Sequence, residues 1–217
     1  MDINILNKIA VKMVADSKGI LAIDESHGTC KKRFDALNIN VTEENRRSYR
    51  DMLISANSLS DYISGAILFD ETIRQKTSDG STFPDYLNKV GIIPGIKVDA
   101  GAKPFSCHPG EKITEGLDGL TERMKEYSAL GAKFAKWRAV ISIGESMPSN
   151  ACMLANSHAL ARYASICQEI NIVPIVEPEV LMDGSHNIKQ CFEVTNTMQS
   201  ILFEALDKLD VNFSGVI

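Results

Sequence analysis

Long apolar runs, a clustered basic face, paired cysteines and glycine-rich phosphate loops are all missing from this chain of 217 residues. Each absence removes a class of function. No apolar run approaches the roughly 18 residues that a membrane span needs, so no membrane partner is expected. The net charge is −5, whereas a nucleic-acid footprint calls for clustered Lys and Arg; no nucleic-acid partner is expected. The five cysteines (Cys30, Cys107, Cys152, Cys167, Cys191) are odd in number and show no C-x-x-C spacing. That suits reduced thiols in a cytosol and supplies neither a disulfide frame nor a zinc ribbon. His27, His108, His158 and His186 are scattered without ligand spacing, so neither a metal nor another cofactor is expected. His158 falls among apolar helix positions and reads as packing. No G-x-G-x-x-G or P-loop occurs. At the N-terminus, Lys8 and Lys12 interrupt the apolar positions, which makes a poor signal peptide and a fair amphipathic helix.

What is present is a set of charged pairs at the ends of apolar runs. Lys97 and Asp99 follow GIIPGI, Lys136 and Arg138 stand in FAKWRAV, and Glu177 and Glu179 stand in IVPIVEPEV. Residues i and i+2 of a strand face the same side, so each pair aims two charged groups in one direction. Such apolar runs suit strands buried on both faces of a parallel sheet. Charges there are costly unless several strands share one polar site.

Strand-like and helix-like segments alternate along the whole chain. The strands read as GILAID (19–24), SGAILFD (64–70), GIIPGIKVD (91–99), AKFAKWRAV, NIVPIVEPEV and the opening FSGVI (213–217). Between them lie helical stretches at Cys30–Leu37, TEENRRSYRDMLISAN, FPDYLNKV, GLDGLTERMKEYSALG, and near 149–169 and 186–209. In the fourth of these, Leu117, Leu120, Met124 and Tyr127 share a face and Gly131 suits a C-cap. Residues 100–115 read as a polar loop, and EENRR (43–47) as a solvated helix face. Alternation of this kind implies an α/β fold with parallel strands. A barrel is favoured over an open sheet, because charges end many strands while open sheets bind mainly at one crevice. Six strands do not close a barrel of eight, so that reading calls for more chain.

The polar residues ending strands are Asp24, Lys97, Asp99, Lys136, Arg138, Glu177 and Glu179. Carboxylates and a lysine converging in a partly desolvated site can exchange protons, and lysines in such sites form Schiff bases with carbonyls. Lys32, Arg33, Arg46, Lys97 and Arg138 are cations able to hold phosphates. Any one pair taken alone also reads as a structural ion pair; Lys97/Asp99 is the weakest, since Asp99 can simply begin a loop.

At these residues the sequence resembles the class I fructose-1,6-bisphosphate aldolases. The matching stretches include GILAIDES (19–26), KKRF (31–34), TEENRRSYR (42–50), GAILFDET (65–72), GIKVD (95–99), EGLDGLTER (115–123), GAKFAKWR (131–138), LARYASICQ (160–168) and IVPIVEPE (172–179). The resemblance implies a single (β/α)8 TIM-barrel domain over 1–217, with five strands and the start of a sixth present and the C-terminal part missing. It implies reversible, metal-independent cleavage of fructose 1,6-bisphosphate into dihydroxyacetone phosphate and glyceraldehyde 3-phosphate through a lysine Schiff base. Asp24 would orient the Schiff-base nitrogen and assist proton transfers at the cleaved carbon, Glu177 act as main general acid/base, Lys136 help dehydrate the carbinolamine, and Glu179 set the charge of Lys136. Ser26, Lys32, Arg33, Arg46, Lys97 and Arg138 would bind the phosphates and hydroxyls of the sugar. The Schiff-base lysine belongs to the sixth strand, so the sequence is expected to end just before it. A cytoplasmic homotetramer follows from the same resemblance. The alternatives are a truncated, non-catalytic binding or scaffold protein, and a Schiff-base aldolase for another phosphorylated sugar.

Overall fold

The computed structural model describes residues 1–217. Its main sheet has five parallel strands: β1 (Gly19–Ala22), β2 (Ile63–Leu68), β3 (Ile93–Lys97), β6 (Phe134–Ile141) and β7 (Val173–Val180), neighbouring in that order. Helices fill the crossovers, chiefly α2 (His27–Asp35), α3 (Glu43–Ile54), α6 (Phe83–Lys89), α7 (Leu120–Ala129), α8 (Asn150–Glu169) and α9 (Ile188–Lys208). The N-terminal amphipathic helix is α1 (Ile3–Met13), capped by the Asp2 carboxylate on the amides of Asn4 and Ile5.

Strand parity divides the sheet into two chemically different faces. One face carries Ala66, Leu68, Ile96, Ala135, Trp137 and Ala139, all buried beneath helices in the main core. The other carries Ile67, Ile93, Phe134 and Val173 near the strand starts, and these pack against Leu6, Ala10 and Met13 of α1. Two to six residues further along the same face stand Lys97, Lys136, Arg138, Glu177 and Glu179. A single face is therefore apolar and plugged by α1 at one end, and charged at the carboxyl ends of the strands. Phe134 fits this plug only because position 95 is glycine: a Cβ there would come within 2.2 Å of its ring.

Several boundaries differ from the sequence reading for local reasons. α2 begins at His27 rather than Cys30, since Ser26 accepts the Thr29 amide as N-cap (3.3 Å). The expected polar loop at 100–115 holds an antiparallel hairpin, β4 (Ala102–Pro104) with β5 (Lys112–Thr114). Two short helices, α4 (Leu59–Tyr62) and α5 (Asp70–Ile73), flank β2, so SGAILFD ends as a strand at Leu68. Gly131 does follow the C-cap of α7 with φ 107°, but Leu117 precedes the helix. FSGVI opens as a 3-10 turn (Phe213–Gly215); only then does Ile217 pair with β7, donating to Pro174 O (3.0 Å) and accepting from Val176 N (2.8 Å).

Two side-chain expectations are overturned. His158 is exposed, because the buried stripe of α8 runs through Asn156, Ala159, Leu160 and Tyr163 and leaves Leu154 and His158 outside it. EENRR is not simply a solvated face: Arg46 is largely buried against Glu71, with Nε and Nη2 at 2.8 and 2.9 Å from its oxygens.

Candidate active site

The strand registers bring the charged residues together. Arg138 lies opposite Glu177 across β6 and β7, and Lys136 opposite Lys97 across β3 and β6. The chain after β1 stays in the ladder through Ile23 N to Ile67 O (3.2 Å), which delivers Asp24 to the same end. Lys136 Nζ then sits 3.5 Å from Asp24 Oδ2 and 3.3 Å from Glu177 Oε2. Asp24 is only 8 % exposed, and the Lys136 side chain 15 %. Two carboxyl groups, one just past β1 and one in β7, thus meet one lysine that is mostly shielded from solvent. Arg138 Nε bonds Glu179 and lies 3.8 Å from Glu177 Oε1. Lys97 Nζ is 2.9 Å from Asp99 Oδ1.

These groups differ in electrostatic state. Burial pushes the Glu177 carboxyl above the usual carboxylate range; Lys136 opposes the shift and Glu179 adds to it. A carboxyl poised this way can carry a proton and release it. The bond to Glu179 raises the pKa of Arg138 further, which keeps it a fixed cation. Glu25 does the same for Arg33, bonding its guanidinium while also accepting from Tyr49 Oη (3.0 Å).

A cleft of about 300 Å³ opens over this cluster, and Asp24, Ser26, Arg33, Lys97, Lys136 and Arg138 line it. Glu177 and Glu179 reach its rim through their bonds to Lys136 and Arg138. The cleft is wide enough for a small polar molecule, with cations from three elements available to anionic groups. Four sequence candidates are not among its lining residues: Glu177 and Glu179, which bond lining cations, and Lys32 and Arg46. Lys32 is exposed on the outside of α2, and Arg46 is held by Glu71, which also bonds His27 Nε2 (2.7 Å).

Other lining residues lie outside the sequence reading's choice. Glu25 and Thr29 flank Ser26, and Gly101 and Ala102 arrive with the hairpin. A Pro109–Gly110 dipeptide marks its turn and was available as a signal. Arg50, fully buried in α3, donates to the carbonyls of Ile23 (3.0 Å) and Glu25 (2.6 Å) and so fixes the backbone on both sides of Asp24.

Comparison with known proteins gives the family and the fold. The chain is 60 % identical, over all 217 residues, to a probable fructose-bisphosphate aldolase class 1 of Xanthomonas axonopodis pv. citri. It is 48 % identical over 200 residues, 92 % of its length, to the cytosolic fructose-bisphosphate aldolase 4 of Arabidopsis thaliana. A solved fructose-bisphosphate aldolase from Plasmodium falciparum, in complex with TRAP and a small-molecule inhibitor, superposes with TM-score 0.96 over 99 % of this chain at 48 % identity. The chain spans 65 %, 51 % and 62 % of the lengths of these three proteins. The family model for class-I fructose-bisphosphate aldolase matches residues 5–217, and the chain belongs to that family.

Proposed function

We propose that this chain supplies the proton-transfer and phosphate-binding groups of a Schiff-base aldolase. The reaction is reversible cleavage of fructose 1,6-bisphosphate to dihydroxyacetone phosphate and glyceraldehyde 3-phosphate. The observation that carries the reading is the placement of Lys136 Nζ between Asp24 and Glu177, 3.5 and 3.3 Å away, at the carboxyl ends of parallel strands. In barrel enzymes that is the catalytic end, and a full (β/α)8 barrel is part of this proposal.

The nucleophile in this reading is a lysine that the family resemblance assigns to the sixth strand, the one Ile217 enters. Its amine adds to the substrate ketone to form a carbinolamine. Glu177, assisted by Lys136, protonates the departing hydroxyl, and water leaves an iminium. Glu177, now ionised, then takes the proton of the hydroxyl on the far carbon of the scissile bond. That bond breaks, its electron pair flows into the iminium, and an aldehyde and an enamine result. Asp24 holds the nitrogen during this step. Glu177, assisted by Asp24, returns that proton to the enamine carbon, and hydrolysis of the imine frees the ketone product. Ser26, Arg33, Lys97 and Arg138 hold the phosphates and hydroxyls. The same reading includes a cytoplasmic homotetramer; the cytosolic relative supports the location, and no helix is long and apolar enough to cross a membrane.

The test is turnover of fructose 1,6-bisphosphate by the full-length protein. Glu177→Gln should lower kcat by about 10²–10⁴-fold, the range for a general acid/base. Wild-type activity should survive EDTA, because the imine is the electron sink. A Glu177→Gln enzyme of normal kcat, or activity abolished by chelator and restored by zinc, would overturn the mechanism.

A further inference from the structure

Strand β3 ends at Lys97, and the last ladder bond between β3 and β6 runs from Val98 N to Lys136 O (3.1 Å). Arg138 lies two residues beyond, so its backbone N–H and C=O on that side have no strand to bond. Side chains replace the strand. Asp99 Oδ2 accepts from Arg138 N at the long distance of 3.5 Å, and Thr114 Oγ1 donates to Arg138 O at 2.8 Å. Thr114, at the end of β5, is itself held from behind. Asn156, with no exposed surface, accepts the Thr114 amide on Oδ1 (3.2 Å) and donates through Nδ2 to Lys112 O (3.0 Å). The amide of one α8 residue therefore grips both ends of β5, and β5 in turn grips the backbone of a cleft cation.

A buried amide costs free energy unless its polar atoms are satisfied. Asn156 Nδ2 also donates to Cys152 O of its own helix (3.0 Å), so the amide is satisfied on both atoms. What the residue accomplishes is a rigid path from the core of α8 to Arg138. We infer that Thr114 and Asn156 are positioning residues for Arg138: they fix the height at which its guanidinium meets an anionic substrate group, while touching no part of the cleft themselves. The hydroxyl of Thr114 is the working contact, since of the two residues only Thr114 hydrogen-bonds β6.

The inference rests on the reading of Arg138 as a substrate-binding cation, and kinetics on fructose 1,6-bisphosphate with the full-length protein separate the two. Thr114→Val keeps the shape of the side chain and removes the donor. It should raise KM about fivefold, the equivalent of one ordinary hydrogen bond, with kcat within about twofold. Thr114→Ser should restore the wild-type KM. In the Arg138→Ala background, Thr114→Val should add nothing further, because the two act through one contact. A KM unchanged in Thr114→Val while Arg138→Ala raises it overturns the positioning role and leaves the site reading intact. A KM unchanged in Arg138→Ala overturns the site reading itself. Additive effects, or failure of Thr114→Ser to rescue, mean that Thr114 is only structural and also reject the inference. If Thr114→Val does not fold, Thr114→Ala and Asn156→Ser, which removes the grip on β5, are read against the same criteria, and failure of all three to fold marks Thr114 as only structural and rejects the inference.

Discussion

Lys136 Nζ lies 3.3 Å from Glu177 Oε2, one step diagonal across a register that sets Lys136 against Ile175 and Arg138 against Glu177. The contact joins a strand that brings cations to a strand that brings carboxylates. Burial still dominates at Glu177: its carboxyl is pushed above the ordinary value of 4.5 in spite of the ammonium beside it.

That upward shift makes a prediction about stability and pH. Between 4.5 and its raised native value, folded Glu177 retains a proton that the unfolded chain has released. Stability contributed by the group is complete below 4.5 and is lost as pH rises through the native value. Glu177→Gln cannot titrate. Urea unfolding across a pH series should therefore show wild type losing stability relative to Glu177→Gln as pH increases through this window. A difference that is constant with pH, or that moves the other way, would show that Glu177 is not held protonated by its surroundings.

The plug beneath the site makes a second prediction. Gly95→Ala puts a methyl group 2.2 Å from the Phe134 ring, which is fully buried under α1 and cannot step aside. Overpacking of this kind costs roughly 1–3 kcal/mol. The penalty should shrink by about 1 kcal/mol when Phe134→Leu makes room, a coupling that a double-mutant cycle detects. Full additivity of the two substitutions would contradict the contact.

The charged ends of the strands were legible in the sequence because parity in a strand is strict. Lys136, Arg138, Glu177 and Glu179 share one face in the structure for the reason their spacing implied. The alternation of strands and helices was readable for the same kind of reason: β3 and β7 fall within the apolar runs that announced them, and β6 outruns its own by Ile141 alone. What escaped depends on contacts distant in sequence. The 100–115 segment looks like a loop because each strand of its hairpin has only three residues and takes its support from Asn156. His158 stands among apolar letters, but a rotation of the helix stripe exposes it. Arg46 appears as one of several surface cations, and only folding reveals that Glu71, 25 residues away, captures it.

Arg46 accordingly yields a third prediction. With Nε and Nη2 both committed to Glu71, it has a structural task at the rim and no place in the cleft lining. Arg46→Ala should lower stability by roughly 1–3 kcal/mol, as expected for charged hydrogen bonds that are mostly shielded from water. KM for fructose 1,6-bisphosphate should stay within about twofold, measured at a temperature where the variant is folded. A tenfold rise in KM with stability intact would return Arg46 to the group of phosphate ligands.

The central claim is that Lys136 moves protons while another lysine carries the substrate. Lys136 is held between Asp24 and Glu177, 3.5 and 3.3 Å away, so its nitrogen is engaged by two carboxyl groups and is not placed for attack on a carbonyl. Borohydride reduction of the full-length protein in the presence of dihydroxyacetone phosphate, followed by peptide mapping, reads the identity of the nucleophile directly. The account predicts one covalent adduct, on a lysine outside residues 1–217, with the peptide containing Lys136 unmodified. An adduct on Lys136, or no adduct on any lysine, would contradict it.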